Sequence, residues 1–461
     1  MTVPDLEGLD VLSNDFAGAL IAPSDDGYEE ARRVHNGLID KRPALIARCR
    51  GTADVVAAVR FARGAGLEIS VRGGGHSVSG LAATDGGVMI DLAELKGVHV
   101  DPVAQTVRAQ GGVTWGELNR ETAIHGLATT GGVVSTTGIA GLTLGGGLGW
   151  LNGVYGLAVD NLLAVELVTA NGDVLLVSDD THPDLFWALR GGGGNFGVAT
   201  WFEYRLHPLR EVYGGLVAYP FEAAADVLRT FREFEQPDEL WIVVGLVHAP
   251  DGSGTKLAAF VVCHVGEPKR AEADVNRLLE RTGAPVLSEL GWLPYPVVNT
   301  FFDESYPRGA LNYWKSSFLS DLGGEVIDTL IERFAAAPSP MSAMVLEYFH
   351  GAVCRVGVSE TAVPHRHPGY NLGIFAEWLD PAETDENISW TRATYDALEQ
   401  HRAPLRYVNY LSDDDVGAAV RAAYGPNYER LVETKRRYDP DNVFHLNHNI
   451  DPGRANDTPA A

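Results

Sequence analysis

A histidine placed directly behind three glycines is the feature of this chain that most clearly indicates chemistry. Glycines have no Cβ, so the backbone there can approach a bulky ligand closely and adopt positive φ values. Consecutive N–H groups in such a turn form a concave cradle for phosphate or another anion. The sequence therefore predicts a loop that brings one imidazole against an anionic ligand; its residues are Arg72, Gly73, Gly74, Gly75, His76 and Ser77.

Two further glycine blocks follow, Gly145 to Gly147 and Gly191 to Gly194. Three close-approach loops within one αβ region indicate a large, elongated ligand, for which a dinucleotide is the natural candidate. The ordinary alternative is that each run is only a flexible loop, as it is for most isolated glycine motifs.

Periodic segments predict the elements that position these loops. We expect residues 1–40 to be helical and peripheral, and Thr52 to be an N-cap. Asn171 and Gly172 are typical of a hairpin turn. In this half, helices are predicted over 53–63, 115–125 and 183–190, and strands over 44–47, 69–72, 88–91, 106–109, 165–169, 174–177 and 198–206.

After Pro208 longer strands alternate with amphipathic helices. This pattern is typical of an α+β domain in which helices cover one face of a sheet and the other face is free. Helices are predicted over 223–235, 269–281, 326–337 and 427–438, and strands over 240–248, 257–265, 342–350, 371–378 and 406–410.

Composition limits the class of protein. The chain has 461 residues, 45% of them hydrophobic and 21% charged, which is typical of a globular protein of two or three domains. Its net charge of −25, from 61 acidic and 36 basic residues, argues against nucleic acid and anionic membranes as partners. The acidity is consistent with a saline environment or simply with solubility. An acidic protein that binds a pyrophosphate must use backbone dipoles rather than lysines.

Other features bear on location and metals. No apolar run is long enough to span a bilayer, and residues 1–7 lack the regions of a signal peptide, so we expect a cytoplasmic protein. Cys49, Cys263 and Cys354 lie far apart and are predicted to be buried in a reducing compartment. The histidines have no metal-ligand spacing, and we expect no metal.

Several motifs in the same order resemble the berberine-bridge-enzyme-like FAD-linked oxidases of the vanillyl-alcohol-oxidase superfamily. The resemblance is strong at both ends of the chain and weak in the middle. The matching segments are Arg72 to Ser77 with Gly80, Gly86-Gly87 with Asp91-Leu92, Gly131 to Gly147, Tyr155 to Leu157, Asp160-Asn161, Asp184 to Gly197, Tyr407 to Tyr410, and Pro426 to Ile450.

The resemblance implies a two-part FAD domain of the PCMH type with an inserted α+β substrate domain, an antiparallel sheet covered by helices. The first part is residues 1–208, with its core over about 40–208. The substrate domain is 209–404, and 405–461 returns to the FAD domain.

It also implies a covalent bond between His76 and the 8α-methyl group of FAD. Many relatives carry a second tether through a cysteine, but Val134 occupies that position, so we expect a histidyl link without a cysteinyl link, as in the nicotine-oxidase-like branch. Leu142 replaces a histidine that many relatives have near flavin N1. Thr137 stands where the family places a gate for oxygen.

The cofactor-binding residues implied by the resemblance extend beyond the first loop. They are Gly80, Gly131, Gly132, Val134, Thr137, Gly138, Gly141, Gly145, Gly146, Gly147, Tyr155, Gly156, Asp160, Asn161, Asn447 and Asn449.

Oxidation of an alcohol, sugar or amine requires hydride transfer to flavin N5 and a base for the departing proton. Tyr407 and Tyr410 match a family Tyr-x-Asn-Tyr pattern; on a strand they point to opposite faces, so only one meets the flavin, and we favour Tyr407. Glu347 is a carboxylate among apolar residues, which is costly unless it is paired or functional. Either Glu347 or the pair Tyr348 and His350, on the opposite face, meets the substrate.

The leading hypothesis is therefore an oxidase that acts on a small molecule and passes electrons to O2. The alternatives are a dehydrogenase of the same fold with another acceptor, and a flavin- or carbohydrate-binding protein without catalysis. A Rossmann protein that binds NAD is disfavoured because no strand, GxGxxG and helix occur in the required context.

Overall fold

A computed structural model describes residues 8–14 and 16–453. Strands in chain order are β1 Ala19–Ile21, β2 Leu45–Arg48, β3 Ile69–Arg72, β4 Val88–Asp91, β5 Val98–Asp101, β6 Thr106–Gln110, β7 Leu127–Ala128, β8 Leu162–Val168, β9 Val174–Ser178, β10 Val198–Arg205, β11 His207–Pro208, β12 Glu211–Pro220, β13 Leu240–His248, β14 Lys256–His264, β15 Leu287–Pro294, β16 Leu311–Leu319, β17 Ala343–Phe349 and β18 Gly369–Trp378.

The α-helices are α1 Leu9–Asn14, α2 Tyr28–Ala31, α3 Thr52–Gly64, α4 Trp115–Ala123, α5 Ile139–Leu144, α6 Asn152–Tyr155, α7 Pro183–Leu189, α8 Ala224–Glu233, α9 Pro268–Leu279, α10 Tyr295–Val298, α11 Gly324–Ala335, α12 Ala352–Arg355, α13 Thr384–Ala397, α14 Ala418–Tyr424 and α15 Tyr428–Tyr438. No helix in the described ranges has the length and hydropathy needed to cross a membrane.

Two sheets carry the glycine loops. One has the order β1-β2-β4-β3, in which β4 pairs in parallel with both β2 and β3. The other is antiparallel with the order β5-β6-β10-β8-β9. The hairpin predicted at Asn171-Gly172 is confirmed, because β8 and β9 pair across it and Gly172 has a φ of 76°.

The third large sheet is an antiparallel array of seven strands, β15-β12-β14-β13-β17-β18-β16. Its side chains alternate between the two faces. Ile242, Val244 and Leu246 of β13 belong to a core shared with α8, α9, α11 and α13. The intervening Val243 and Gly245 line a cavity on the opposite face. The predicted fold class, an α+β sheet with helices on one face beside an FAD-type domain, is confirmed by this architecture and by the structural comparisons given below.

The helices are amphipathic where they cover this sheet. In α8 the buried apolar residues are Ala224, Val227, Leu228 and Phe231, spaced at three and four residues so that they form one stripe. The stripe packs on the sheet, and the opposite side of the helix faces solvent.

Three local predictions were wrong. Of residues 1–40, the described part contains only two short helices and a three-residue strand, and residues 1–7 and 15 lie outside the description. Thr52 is the first residue of α3 rather than its cap, and its hydroxyl donates instead to Glu166 at 2.6 Å. Residues 406–410 form no strand; Val408–Tyr410 is a 3-10 turn.

The C-terminal segment packs back onto the glycine-rich half through a buried lysine. Lys435 of α15 donates to the Asn195 carbonyl at 2.6 Å, to Asp439 at 2.7 Å and to the Phe444 carbonyl at 3.3 Å. The side chains of Lys435 and Asp439 are both 0% exposed. This ion pair therefore joins α15, the loop after it and the third glycine block.

Replacing Lys435 with Met should lower the free energy of unfolding by about 3 kcal/mol, because Asp439 is left as a buried charge without its cation. Urea titration of the two proteins measures the change. Lys96→Met is the matched control, since the Lys96–Glu117 pair is exposed and should contribute less than about 1 kcal/mol. Equal losses in the two variants would contradict the assignment.

Candidate functional site

A cavity of about 1210 Å³ lies between the free face of the seven-stranded sheet and the glycine loops. One wall is built from backbone-rich segments, including all of Gly73 to Ser77 and Gly193 to Asn195. The opposite wall is built from sheet side chains. The site is therefore a cleft between two differently constructed surfaces.

Arg72 holds the end of β3 from which the first glycine loop departs. Its Nε and Nη2 donate to the two carboxylate oxygens of Asp91 at 2.9 and 2.5 Å. Its Nη1 donates to the carbonyls of Ala31 and Arg33. Arg72 does not line the cavity, so its function is to fix the loop rather than to contact a ligand.

The loop after Arg72 passes directly against a second backbone segment. A Cβ on Gly74 would lie 2.4 Å from the Gly138 nitrogen, and Gly75 has a φ of 67°, where other residues are strained. Among the residues that the structure describes, the backbone N–H groups of residues 73–77 donate to no protein acceptor. They are thus available to a ligand with phosphate or carbonyl oxygens, and this wall fits a dinucleotide.

His76 lies in this wall and carries a nitrogen without a protein partner. Its Nε2 atom is buried and unpaired among the described atoms. Burial lowers the pKa of His76 to about 3, so the ring is neutral at physiological pH and keeps a lone pair. A neutral imidazole with an uncommitted nitrogen can form a bond to an electrophilic carbon.

The turn at residues 407–410 brings both tyrosines to the cavity, which corrects the expectation that only one could face it. The rings of Tyr407 and Tyr410 are perpendicular with centroids 5.0 Å apart. The Tyr407 hydroxyl accepts from the backbone N–H groups of Gly147 and Leu148 and from the Asn409 amide, each at 3.0 Å. Tyr407 is therefore fixed by three donors, whereas Tyr410 points at Glu347.

Glu347 provides a buried carboxyl group at the opposite wall. It is 3% exposed, and its Oε2 accepts from Asn371 at 3.0 Å and lies 3.5 Å from the Tyr410 hydroxyl. Burial raises the pKa of Glu347 to about 7. Burial, and then the neighbouring Glu347, also raises the pKa of Tyr410. A carboxyl group with this pKa can accept and release a proton near neutral pH.

The register of β17 decides between the two sets of candidates on that strand. Ala343, Val345 and Glu347 face the cavity. Tyr348 points to the helix-covered face, where its ring lies 4.9 Å from that of Tyr370, and His350 stacks on Trp241. Tyr348 and His350 line no part of the cavity and are corrected as candidates.

Cross-strand register shows the form of the sheet wall. One row of paired residues is Glu289, Leu216, Val261, Val243 and Glu347, and the next is Leu287, Ala218, Ala259, Gly245 and Val345. Four strand spacings make each row about 19 Å long. The second row has small residues at its centre, so the apolar floor is lowest there. At the Val345 end of this row stand the aromatic rings of Trp314 and Phe375, whose centroids are 4.4 Å apart.

The predicted cofactor residues divide into two groups. Those that line the cavity are Gly73, Gly74, Gly75, His76, Ser77, Val134, Thr137, Gly138, Gly141, Gly145 and Asn447. Those that stand outside the lining are Arg72, Gly80, Gly131, Gly132, Gly146, Gly147, Tyr155, Gly156, Asp160, Asn161 and Asn449.

Residues of the second group have other structural partners. Asp160 accepts two bonds from the buried Arg366 at 2.8 Å each, and Asn161 donates to the carbonyls of Tyr155 and Leu157. A Cβ on Gly131 would meet the Trp115 ring. These residues support the wall from behind.

Many cavity residues were not selected from the sequence, and four of them illustrate why. Gly193 and Gly194 belong to the third glycine block, which was a signal for them, and His448 lies beside the selected Asn447. Tyr306 lies in an irregular segment, and no pattern indicated it.

The cavity lining is acidic. Its carboxyl groups are those of Glu289, Glu304 and Glu347, of which Glu347 has the raised pKa given above, and within residues 8–14 and 16–453 it contains no lysine or arginine. The same described part of the chain holds no cluster of three His, Cys, Asp or Glu side chains suited to a metal ion. The side of the cavity that carries these glutamates, opposite the glycine loops, is thus suited to neutral or cationic groups.

The raised pKa of Glu347 predicts a stability change with pH. Between pH 4.5 and 7 the folded carboxyl group stays protonated while the unfolded one ionises, so stability falls as pH rises through this window. Relative to Glu347→Gln, the wild type should lose about 3 kcal/mol of unfolding free energy between pH 4.5 and 8. Urea titrations at several pH values test this.

Glu289→Gln is the matched control for that experiment, because Glu289 lies on the same sheet face but is exposed. It removes one negative charge without removing a buried carboxyl group. A pH dependence that is the same in wild type and Glu347→Gln would contradict the assignment.

Comparison with known proteins agrees with this geometry. Residues 43–178 match a family model for an FAD binding domain, and residues 406–451 match one for berberine and berberine-like proteins. The chain is 34% identical over 451 residues to (R)-6-hydroxynicotine oxidase of Paenarthrobacter nicotinovorans, covering 94% of this chain and 97% of that protein.

Solved structures give the same relationship. The crystal structure of 6-hydroxy-D-nicotine oxidase from Arthrobacter nicotinovorans has a TM-score of 0.86 at 32% identity, covering 95% of this chain and 98% of that one. Berberine bridge enzyme has a TM-score of 0.87 at 23% identity, covering 97% and 100%, and so supports the fold. The chain belongs to the berberine-bridge-enzyme-like family and is an FAD-dependent oxidoreductase.

Proposed function

We propose that this protein is a flavin oxidase that carries FAD bonded to His76 and oxidises a small substrate, preferentially an amine, with O2 as the acceptor. The observation that carries the proposal is the buried, unpaired Nε2 of His76 in a wall of free backbone N–H groups. FAD, when bound, supplies the acceptor for hydride and returns electrons to oxygen. In this proposal residues 1–208 and 405–461 hold FAD and 209–404 hold the substrate.

The chain's own residues supply the remaining functions. The first glycine loop offers its free backbone N–H groups to the cofactor, while Val134 has no thiol and adds no second tether. Glu347 is the base that accepts the substrate proton, because its pKa of about 7 suits transfer near neutral pH. Tyr407 and Tyr410 orient the reacting group, and Thr137 leaves space at the cavity wall for oxygen.

The preference for an amine rests on charge. The cavity wall has three glutamates and, in the described chain, no lysine or arginine to neutralise a substrate carboxylate or phosphate. Aromatic rings near Glu347 stabilise a cation through their faces. An alcohol or a sugar is neutral and is the second candidate, whereas an anionic substrate is disfavoured. The relative from Paenarthrobacter nicotinovorans, named for 6-hydroxynicotine, is consistent with an amine.

The tether is tested by the mass of the unfolded polypeptide. Protein prepared natively and denatured in acid should show the mass of the chain plus FAD less two hydrogens, and the pellet should stay yellow. His76→Ala should bind FAD but release it on denaturation, because it has no imidazole nitrogen. A wild-type polypeptide with the mass of the chain alone would exclude the covalent link. The electron acceptor is tested separately: release of hydrogen peroxide during substrate oxidation distinguishes an oxidase from a dehydrogenase.

Substrate charge is tested with matched compounds. A benzylic amine should reduce the flavin with a kcat/KM at least about 10-fold above that of the carboxylate of the same shape, since the cavity attracts a cation. Glu347→Gln should lower kcat/KM for the amine by about 100-fold, as expected for loss of a general base. Glu399→Gln is the control, because Glu399 is an exposed carboxylate outside the cavity lining. Faster turnover of the carboxylate substrate would refute the preference.

A further inference from the structure

A second histidine lies directly behind the proposed tether residue. The rings of His35 and His76 are stacked, with centroids 4.1 Å apart and planes inclined by 22°. His35 is buried, and its Nε2 atom has no partner among the described residues. His35 is outside the cavity lining, so no step proposed above uses it.

Backbone contacts fix His35 to the glycine loop from which His76 projects. The His35 N–H donates to the Gly75 carbonyl at 2.9 Å, and the His35 carbonyl accepts from the Gly309 N–H at 2.8 Å. Arg72 donates to the carbonyls of Ala31 and Arg33 just before it. The chain around His35 is therefore tied on both sides, and its ring has little freedom to move away from His76.

Both rings are neutral near pH 7. Burial lowers the pKa of His35 to about 4, with a further contribution from the nearby Arg308 cation. Burial lowers that of His76 to about 3, with a contribution from His35 itself. The stack is thus a contact between two uncharged flat rings, not a charged hydrogen-bonded pair.

We propose that His35 is a positioning residue for covalent attachment of FAD: its ring face holds the His76 imidazole in the orientation that aims a nitrogen at the flavin 8α carbon. The proposal rests on the tether proposed above. The bond formed joins nitrogen and carbon, and it replaces one N–H and one C–H hydrogen. The isoalloxazine ring takes up these two hydrogens with two electrons, and O2 then removes them as hydrogen peroxide.

Because the proposed role of His35 depends on the shape of its ring, two substitutions at this position should behave differently. His35→Phe keeps a flat ring against His76, whereas His35→Ala removes the stacking face and frees the imidazole to rotate. Attachment should be slowed at least about 10-fold in His35→Ala, because small misplacement of a reacting group costs rate steeply. It should stay within about 2-fold of wild type in His35→Phe.

The experiment adds FAD to each apoprotein and follows the mass of the acid-denatured chain with time. A slow His35→Ala beside a near-normal His35→Phe supports the proposal. Equal slowing of both variants overturns it in favour of a chemical role for the imidazole, and normal rates in both overturn it altogether. A wild type that never gains the mass refutes the tether itself, which is a different outcome.

A double variant distinguishes a positioning role of His35 from general damage to the site. In His76→Ala, where no bond can form, adding His35→Ala should leave the dissociation constant for FAD within about 2-fold. Weaker FAD binding in that double variant would mean that His35 merely supports the pocket, and the proposal would fail.

Discussion

The Arg72–Asp91 ion pair is the interaction on which the cofactor side of the site depends. It joins the ends of the parallel strands β3 and β4, and Arg48 of β2 also donates to Asp91 at 2.9 Å. The remaining nitrogen of Arg72 holds the carbonyls of residues 31 and 33. The Asp91 carboxylate therefore joins three strands, and the Arg72 guanidinium ties them to the first glycine loop and to the segment that carries His35. Losing Asp91 would leave that cation buried and unpaired, which is far costlier than losing a surface pair.

The net charge of −25 also limits the groups with which this protein can bind a pyrophosphate. Lysine or arginine at the site would be drawn into pairs with the many carboxylates. Free backbone N–H groups carry no net charge and cannot be neutralised in that way. The glycines serve this arrangement twice: they expose those N–H groups, and at Gly74 and Gly138 they let two backbones touch. Side chains would separate the two loops and open the wall.

Local patterns in the sequence were sufficient for the glycine loops, most strands and the helix-covered sheet, because these depend on residue spacing and on glycine's lack of a Cβ. They were not sufficient at residues 406–410, where alternation predicted a strand but the chain turns to follow the cavity wall. They also left Glu347 and Tyr348 as alternatives, since pairing with β13 and β18 sets the face. His35 gave no signal, because stacking on His76 joins residues that are distant in sequence.

The two walls of the cavity differ in how well they tolerate amino-acid substitutions. The cofactor wall is mainly backbone, so substitutions there alter loop paths that two sheets and the C-terminal segment hold in place. The substrate wall consists of alternate side chains of a regular sheet, such as Val243, Ala259 and Val345, which can be exchanged without moving a strand. The opposite face of each strand is packed independently against helices. A site built in this way can keep its cofactor wall while the side chains of its substrate wall change.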